Sequence, residues 1–580
     1  MQLSRHLRPL RTPLQLQCKA QFISPINRRA AFSTAFRTMA QEFKLKDVTS
    51  LQLKNGEKKE VEVEGVEGGK VLLLKSQDKI HATSPTCTHY GAPLVKGILT
   101  PEGRLTCPWH GACFNVTTGD VEDAPALDPI SKYEVFERDG AVYVKTDEET
   151  LKASRGKLNI KCSALTPHGG SATLGAVEGL RGGGFKGKIT VISKEGYQPI
   201  DRTKLSKALL ADLSKAAWRS KDFYKDASIE FVEDEAKSVD FSGKKVETKS
   251  GKTYEYSKLV LATGGTPNYL PLEGLKGDLG NTFLLRTLPD AQNILKAVGD
   301  NGKKIVVVGS SFIGMEVGNC LAGMKNDVTI IGMEAAPMER VMGEKVGKIF
   351  RGLLEKNGVK FKMGASVSKA TPSKTDPSKI GAVHLKDGTI LEADLVIEGV
   401  GVKPATEYLQ SNPSIQLEKD GSLLTNEAFQ VQGLTDVYAI GDIATYPYHG
   451  PGGNGKPVRI EHWNVAQNAG RSVARSINEP GAAPKPFIPV FWSALGSQLR
   501  YCGNTANGYD DVVLQGDVEK PSFVAYYTNG DEVVAVASMM KDPYMTQSAE
   551  LMRRGKMPGK KELQNGKDIL DIGLPSEIKI

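Results

Sequence analysis

Two of the 8 histidines and two of the 7 cysteines in this 580-residue chain lie close together, as Cys87-x-His89 and Cys107-x-x-His110. Thiolate and imidazole are the side chains that hold zinc and iron–sulfur clusters. Gly91 and Pro93 follow the first pair, and Pro108 and Gly111 lie within and after the second, so each pair reads as a tight loop. Structural zinc sites space paired ligands by two or more residues, and Cys-x-His is too short for the usual finger. A two-iron centre with two thiolates on one iron and two imidazoles on the other needs one Cys and one His from each of two facing loops. The spacing favours that centre, with a single zinc as the alternative.

The stretch CTHYGAPLVKGILTPEGRLTCPWHGACF, Cys87 to Phe114, resembles the Rieske [2Fe–2S] signature, flanking Gly and Pro included. The resemblance implies Cys87, His89, Cys107 and His110 as the iron ligands. High-potential Rieske proteins of respiratory complexes carry a further Cys after each ligand pair, joined as a disulfide, where this chain has Ala92 and Trp109. The site therefore resembles the ferredoxin-like Rieske domains. Its potential is expected toward the low end of the Rieske range, which runs from about −150 to +300 mV. Cys113 reads as a small apolar residue.

Those loops need a scaffold. From about Phe43 to Thr146, short β-type runs such as VLLL and AVYV alternate with Gly-containing turns, which predicts an all-β module. Asp147 to Gly156 turns polar and charged and reads as a linker. Beyond it, strands alternate with helical stretches, the pattern of parallel α/β units. In KKIVVVGSSFIGMEVGNCLA a strand, Ile305 to Val308, runs into Gly309-x-Ser311-x-x-Gly314 and a helix, with the strand VTIIG after it. This is a dinucleotide-binding turn. Gly309 allows the tight bend, position 311 faces a pyrophosphate with Ser in place of the usual Gly, and Gly314 lets helix and strand pack closely. The phosphates would meet the helix N-terminus. Gly332 ends the second strand and Glu334 follows two residues later, with Arg340 further on, which favours NADH and leaves NADPH open.

A flavin unit is expected before that turn. GKITVISKEGYQPIDRTKLSK resembles the second strand and following loop of such a unit, and LGAVEGLRGGGF its helix. The first strand and its Gly-rich turn read NIKCSALTPHGGSAT instead. His168 stands at the first Gly, Gly170 matches the second, Thr173 replaces the third, and Lys161 and Pro167 interrupt the apolar strand. Either the gene model is imprecise across an exon boundary or flavin binding is impaired. The later flavin motifs favour the former. They are LVLATGGTP with Ala262, Thr263 and Gly264, VIEGVGVKP, and DVYAIGDIA with Gly441 and Asp442.

From about Leu158 onward the chain resembles the ferredoxin-reductase branch of the two-dinucleotide flavoproteins. With the Rieske module in front, the whole resembles the apoptosis-inducing factor-like group. That resemblance implies an all-β Rieske domain (42–150), two Rossmann-like α/β domains for FAD (155–300 and 421–485) and NAD(P) (301–420), and an α+β C-terminal domain (486–580). It implies FAD with Glu195 at the adenosine ribose, Arg202 at the phosphates and Asp442 at the ribityl chain. Lys207 would lie beside the flavin ring, Glu316 beside the nicotinamide, and Trp492 near the flavin, with Trp463 a second candidate. The implied chemistry is hydride transfer from NAD(P)H to FAD, then single electrons to the chain's own cluster and to an unknown acceptor. Fusion would hold the two centres at an effective concentration of roughly millimolar. The alternative is a mitochondrial apoptosis or assembly factor with a mainly structural flavin.

Composition bounds the rest. The length predicts three or four domains, and 40% hydrophobic with 24% charged residues is ordinary for a globular chain. Before Glu42 there is no acid, while Arg5, Arg8, Arg11, Lys19, Arg28, Arg29 and Arg37 supply seven of the eight net positive charges. The basic character therefore argues little for nucleic-acid binding. The head, 1–41, reads as a mitochondrial transit peptide with RRAAFSTAF as its processing region. No apolar run reaches the length of a membrane span. The scattered cysteines do not form a disulfide framework, which points to a reducing compartment.

Overall fold

A four-stranded antiparallel sheet, Ile98–Leu99, Arg104–Thr106, Cys113–Asn115 and Val121–Asp123, carries the second ligand pair in the hairpin between its two middle strands. The first pair follows the strand Lys79–Thr83 in a six-stranded antiparallel sheet, and a bridge between Thr86 and Pro93 closes its loop. The VLLL run explains how the two sheets share a module. Val71 and Leu73 face a core with Val61, Val142 and Val144, while Leu72 and Leu74 face a second core with Leu94, Leu105, Phe114 and both ligand cysteines. Alternation about the strand sends successive side chains to opposite faces, so one apolar run serves two cores.

The computed structural model describes residues 40–156, 170–227 and 229–580. The expected transit peptide, apart from its last two residues, and His168, Lys161 and Pro167 lie outside them. Gln41–Ile580 form one compact unit. Part of the expected linker is a helix, Glu148–Ala153. Asp147 caps it by accepting from Thr150 N at 2.7 Å, and Leu151 is buried against the module. One apolar residue and one cap order a run that composition alone marks as solvated.

The expected dinucleotide turn sits in a five-stranded parallel sheet, ordered Thr282–Phe283, Leu395–Glu398, Lys304–Val308, Asp327–Ile331 and Lys360–Lys362. Gly309 has φ +111°, and a β-carbon there would come within 2.2 Å of the Gly399 carbonyl oxygen. A β-carbon on Gly314 would lie 2.0 Å from the Gly309 carbonyl oxygen, so both positions require glycine. Ser311 is exposed as the N-cap of the helix Phe312–Gly323. In the preceding unit, the helix Ser171–Gly182 packs against Trp463–Asn478. The C-terminal segment forms a five-stranded antiparallel sheet, Val490–Ala494 to Glu532–Met539, followed by the helix Tyr544–Arg553. Among the described residues no helix is long and apolar enough to cross a membrane.

The β module docks on the rest of the chain through polar contacts as well as packing. Thr546 Oγ1 donates to the Cys107 and Pro108 carbonyls at 3.2 and 3.4 Å. Asn464 and Asn468 bond the Ala124 carbonyl and N–H at 2.8 and 2.9 Å. The Tyr90 hydroxyl donates to Asp201.

Candidate functional site

The two ligand loops are built alike. Cys87 N–H donates to the Ala92 carbonyl at 2.8 Å and Gly91 N–H to the Cys87 carbonyl at 2.9 Å. Cys107 N–H donates to Ala112 at 2.7 Å and Gly111 N–H to Cys107 at 3.3 Å, the same pattern at the same offsets. Gly91 and Gly111 take left-handed φ of +76° and +73°, where a side chain would be strained. Histidine stands two residues after the cysteine in one loop and three after in the other. The loops face one another so that the Cys87 and Cys107 thiols, both free and buried, are neighbours. His89 and His110 present their Nδ1 atoms to each other at 3.1 Å. Nitrogens sharing one tetrahedral metal at about 2.0–2.1 Å would be spaced much like this.

All four side chains are buried. Burial, with the charges of Lys204 and Arg500, pushes the His89 pKa down to about 3; burial also pushes His110 well below its ordinary value. Both rings are thus neutral and keep lone pairs to offer. Among the described residues no three His, Cys, Asp or Glu side chains gather around a single ion. Thiol pairs with thiol and imidazole with imidazole, which suits two irons and does not suit tetrahedral zinc. Cys113 is fully buried, with its thiol pushed up to about 12 by that burial, as a packing residue would be.

The imidazoles face aromatic rings. His89 stacks on Tyr90 at 3.9 Å between centroids and lies 5.5 Å from both Trp218 and Trp492, while His110 lies 4.4 Å from Trp492. Trp218 in turn stacks on Trp463 at 6.2 Å. Trp492 and Trp463 also line a cavity of about 1730 Å³.

That cavity collects most of the expected cofactor residues. Gly170 caps the helix Ser171–Gly182, whose N-terminal turn faces the cavity as an anion site would. Ala262, Thr263 and Gly264 line it from one strand end, and Gly441 and Asp442 from another. Glu195 and Arg202 meet each other there: Arg202 Nη2 reaches both Glu195 oxygens, at 2.8 and 3.0 Å, and its Nη1 donates to the Arg286 carbonyl. Lys207 and Glu316 form a pair of 2.9 Å at the inner end, where the Ser206 and Ser493 hydroxyls also donate to Glu316. The pair is largely buried, at 18% and 5% exposure, and so differs from a solvated surface bridge. Gly309, Ser311 and Gly314 lie on the neighbouring turn, while Phe312 and Glu316 of the same helix reach the cavity wall.

Sequence reasoning missed several neighbours. Arg286 Nη2 holds Asp442 at 2.6 Å, and Trp218 bridges His89 and Trp463. Neither belongs to a local motif; tryptophan scarcity, with 4 in the chain, was the one available hint for Trp218.

Comparisons with known proteins agree with this construction. Residues 43–134 match the Rieske [2Fe-2S] domain, 169–470 the pyridine nucleotide-disulphide oxidoreductase family, and 490–570 the reductase C-terminal domain. Human apoptosis-inducing factor 3 is 38% identical over 526 residues, 88% of this chain and 84% of that protein. Putidaredoxin reductase of Pseudomonas putida is 32% identical over 64% of this chain and 87% of its own length. The crystal structure of the covalent putidaredoxin reductase–putidaredoxin complex superposes with a TM-score of 0.64 at 28% identity, covering 70% of this chain and 95% of that one. The body is ferredoxin-reductase-like, with FAD, a Rieske cluster and NADH as its cofactors. With a Rieske domain in front of a reductase body and Trp492 shared by the imidazoles and the cavity wall, this chain belongs to the apoptosis-inducing factor-like group of the pyridine nucleotide-disulphide oxidoreductases.

Proposed function

We propose that the chain is a self-contained reductase, passing electrons from NADH through FAD to its own cluster and on to an external acceptor. One observation carries the reading: Trp492 lines the cavity and touches both imidazoles. A residue so placed joins the two sites without a diffusive step. FAD would supply the conversion of a two-electron hydride into single electrons.

The chain's own residues do the rest. Cys87 and Cys107 would hold one iron, and His89 and His110 the other. Asp442, fixed by Arg286, offers its carboxylate to the ribityl region, and Glu195 with Arg202 closes the adenosine end. Gly309, Ser311 and Gly314 receive the nucleotide phosphates. Glu334, paired with Arg340 at 2.9 Å, stands where an adenosine ribose of NADH would be met. Lys207 keeps its ammonium beside the flavin place through Glu316, where it can offset negative charge that builds on reduction. The acid-free basic head supports a mitochondrial location.

Anaerobic stopped-flow tests the relay. After mixing with NADH, flavin and cluster absorbance are expected to bleach in succession within one turnover. A cluster that stays oxidised while flavin turns over many times would sink the proposal. Kinship with apoptosis-inducing factor 3 favours a second reading, a signalling role with a slowly cycling flavin. A long-lived reduced flavin–nucleotide complex would support it. In either case the purified protein is expected to show a full flavin spectrum, since the expected flavin residues from Gly170 to Trp492 line one cavity. A colourless flavin region with an intact cluster would mean that the 157–169 segment disables the site.

A further inference from the structure

We propose that Arg500 is a redox-tuning residue: a buried cation that the C-terminal sheet aims at the Cys107–His110 loop, favouring the reduced cluster. The inference rests on the ligand assignment above. Arg500 lies in the strand Gln498–Gly503 directly opposite Trp492, so the two side chains leave the same face of the sheet. That face covers the second ligand loop. Trp492 meets His110, and two residues before it the Val490 methyls sit 3.4 Å from where a Gly111 β-carbon would stand. Arg500 is 3% exposed, so its charge is held inside the body on the sheet face that covers this loop.

Its own partners are too few for a buried guanidinium. Nη2 donates to Gln498 Oε1 at 2.5 Å. Nε has no hydrogen bond, and the carboxylate within ion-pair reach, Asp542 Oδ1, is 3.6 Å away. A buried charge without full compensation is costly, and arginine cannot shed its proton to escape that cost. Two ferric irons, two sulfides, two thiolates and two neutral imidazoles sum to zero charge, and one added electron makes the assembly negative. A fixed cation therefore attracts the reduced form and leaves the oxidised form nearly unaffected. Because Arg500 belongs to the reductase body and not to the β module, the bias exists only while the module is docked. Arrival of the electron completes the pairing that the body leaves open.

The test uses the full-length holoprotein and follows the cluster's EPR signal through a redox titration. In Arg500→Gln, the reduced-to-oxidised ratio at the wild-type midpoint is expected to fall about tenfold, or about 59 mV for one electron. Arg500→Lys should retain most of the wild-type ratio. Asp542→Asn, which removes the competing carboxylate, should raise the ratio. An Arg500→Gln protein with full iron and sulfide but a ratio within about twofold of wild type overturns the proposal. If that variant loses its iron, Asp542→Asn decides, and an unchanged ratio there overturns it. Failure of the ligand assignment would look different: the wild-type protein itself would lack the signal.

Discussion

A Cys107→Ala chain is expected to purify with flavin but with neither iron nor labile sulfide, and to lose NADH-driven reduction of one-electron acceptors at the cluster. Loss of an outer-shell partner alone costs about 10–100-fold in metal affinity, so loss of a thiolate should exceed the upper end of that range. The change is small in packing terms. Cys107 is 1% exposed, and its loop is held by backbone bonds to Ala112 and Gly111 that alanine keeps. Removing one buried sulfur leaves a void worth about 1 kcal/mol, too little to unfold the body. Flavin content and flavin bleaching by NADH report whether the body is intact. Iron and sulfide at the wild-type level, or zinc in the wild-type protein by elemental analysis, would defeat the assignment.

The paired Cys/His loops were legible in sequence because their requirements are local. Four side chains of restricted chemistry must lie on two short turns, and Gly91 and Gly111 mark those turns through their backbone geometry. The turn from Gly309 to Gly314 was legible for the same reason: neighbouring carbonyls exclude a β-carbon within a few residues of chain. Leu151 misled composition, since one apolar residue among charges is enough to seat a short helix. What stayed hidden, outside the expected Lys207–Glu316 pair and the facing Cys/His loops, were the contacts made across the fold. Arg286 finds Asp442 from 156 residues away, and Arg554 finds Glu102 from 452. Such residues are ordinary arginines until the chain closes around them. Periodicity records which face of an element is buried, but not what charge waits on the far side.

Docking also changes how the fusion should work. A tether alone gives an effective concentration of roughly millimolar. Here the module is held by Thr546, Asn464, Asn468 and Tyr90, and by Lys485, whose Nζ meets Asp123 at 2.8 Å. With both imidazoles covered by Trp218 and Trp492, the contact through which the proposed relay would reach the cluster is standing and not transient. On the proposed relay, an external acceptor would have to meet the molecule elsewhere than at the imidazole–Trp492 contact.

Arg554→Ala should show what that standing contact is worth. Arg554 is fully buried and pairs with Glu550 of the helix Tyr544–Arg553 and with Glu102 of the β module, while its Nε donates to the Pro575 carbonyl at 2.8 Å. Glu550 accepts as well from Thr106 Oγ1 at 3.2 Å, one residue before Cys107. Removing the guanidinium leaves Glu550 buried with only the more distant Arg553, 3.9 Å away, and takes the partner from Glu102, a quarter of whose side chain meets water. Breaking a fully buried pair by removing one partner costs about 3–5 kcal/mol, and Arg553 beside Glu550 places this loss toward the lower end. The first calorimetric unfolding transition should therefore fall clearly, and cluster reduction by NADH should slow as the module loosens. Adding Glu550→Gln to the same chain should recover much of the loss, since it removes the charge left behind. A single variant within about 1 kcal/mol of wild type, or a double variant no better than the single, would mean that packing and not this charge network holds the module in place.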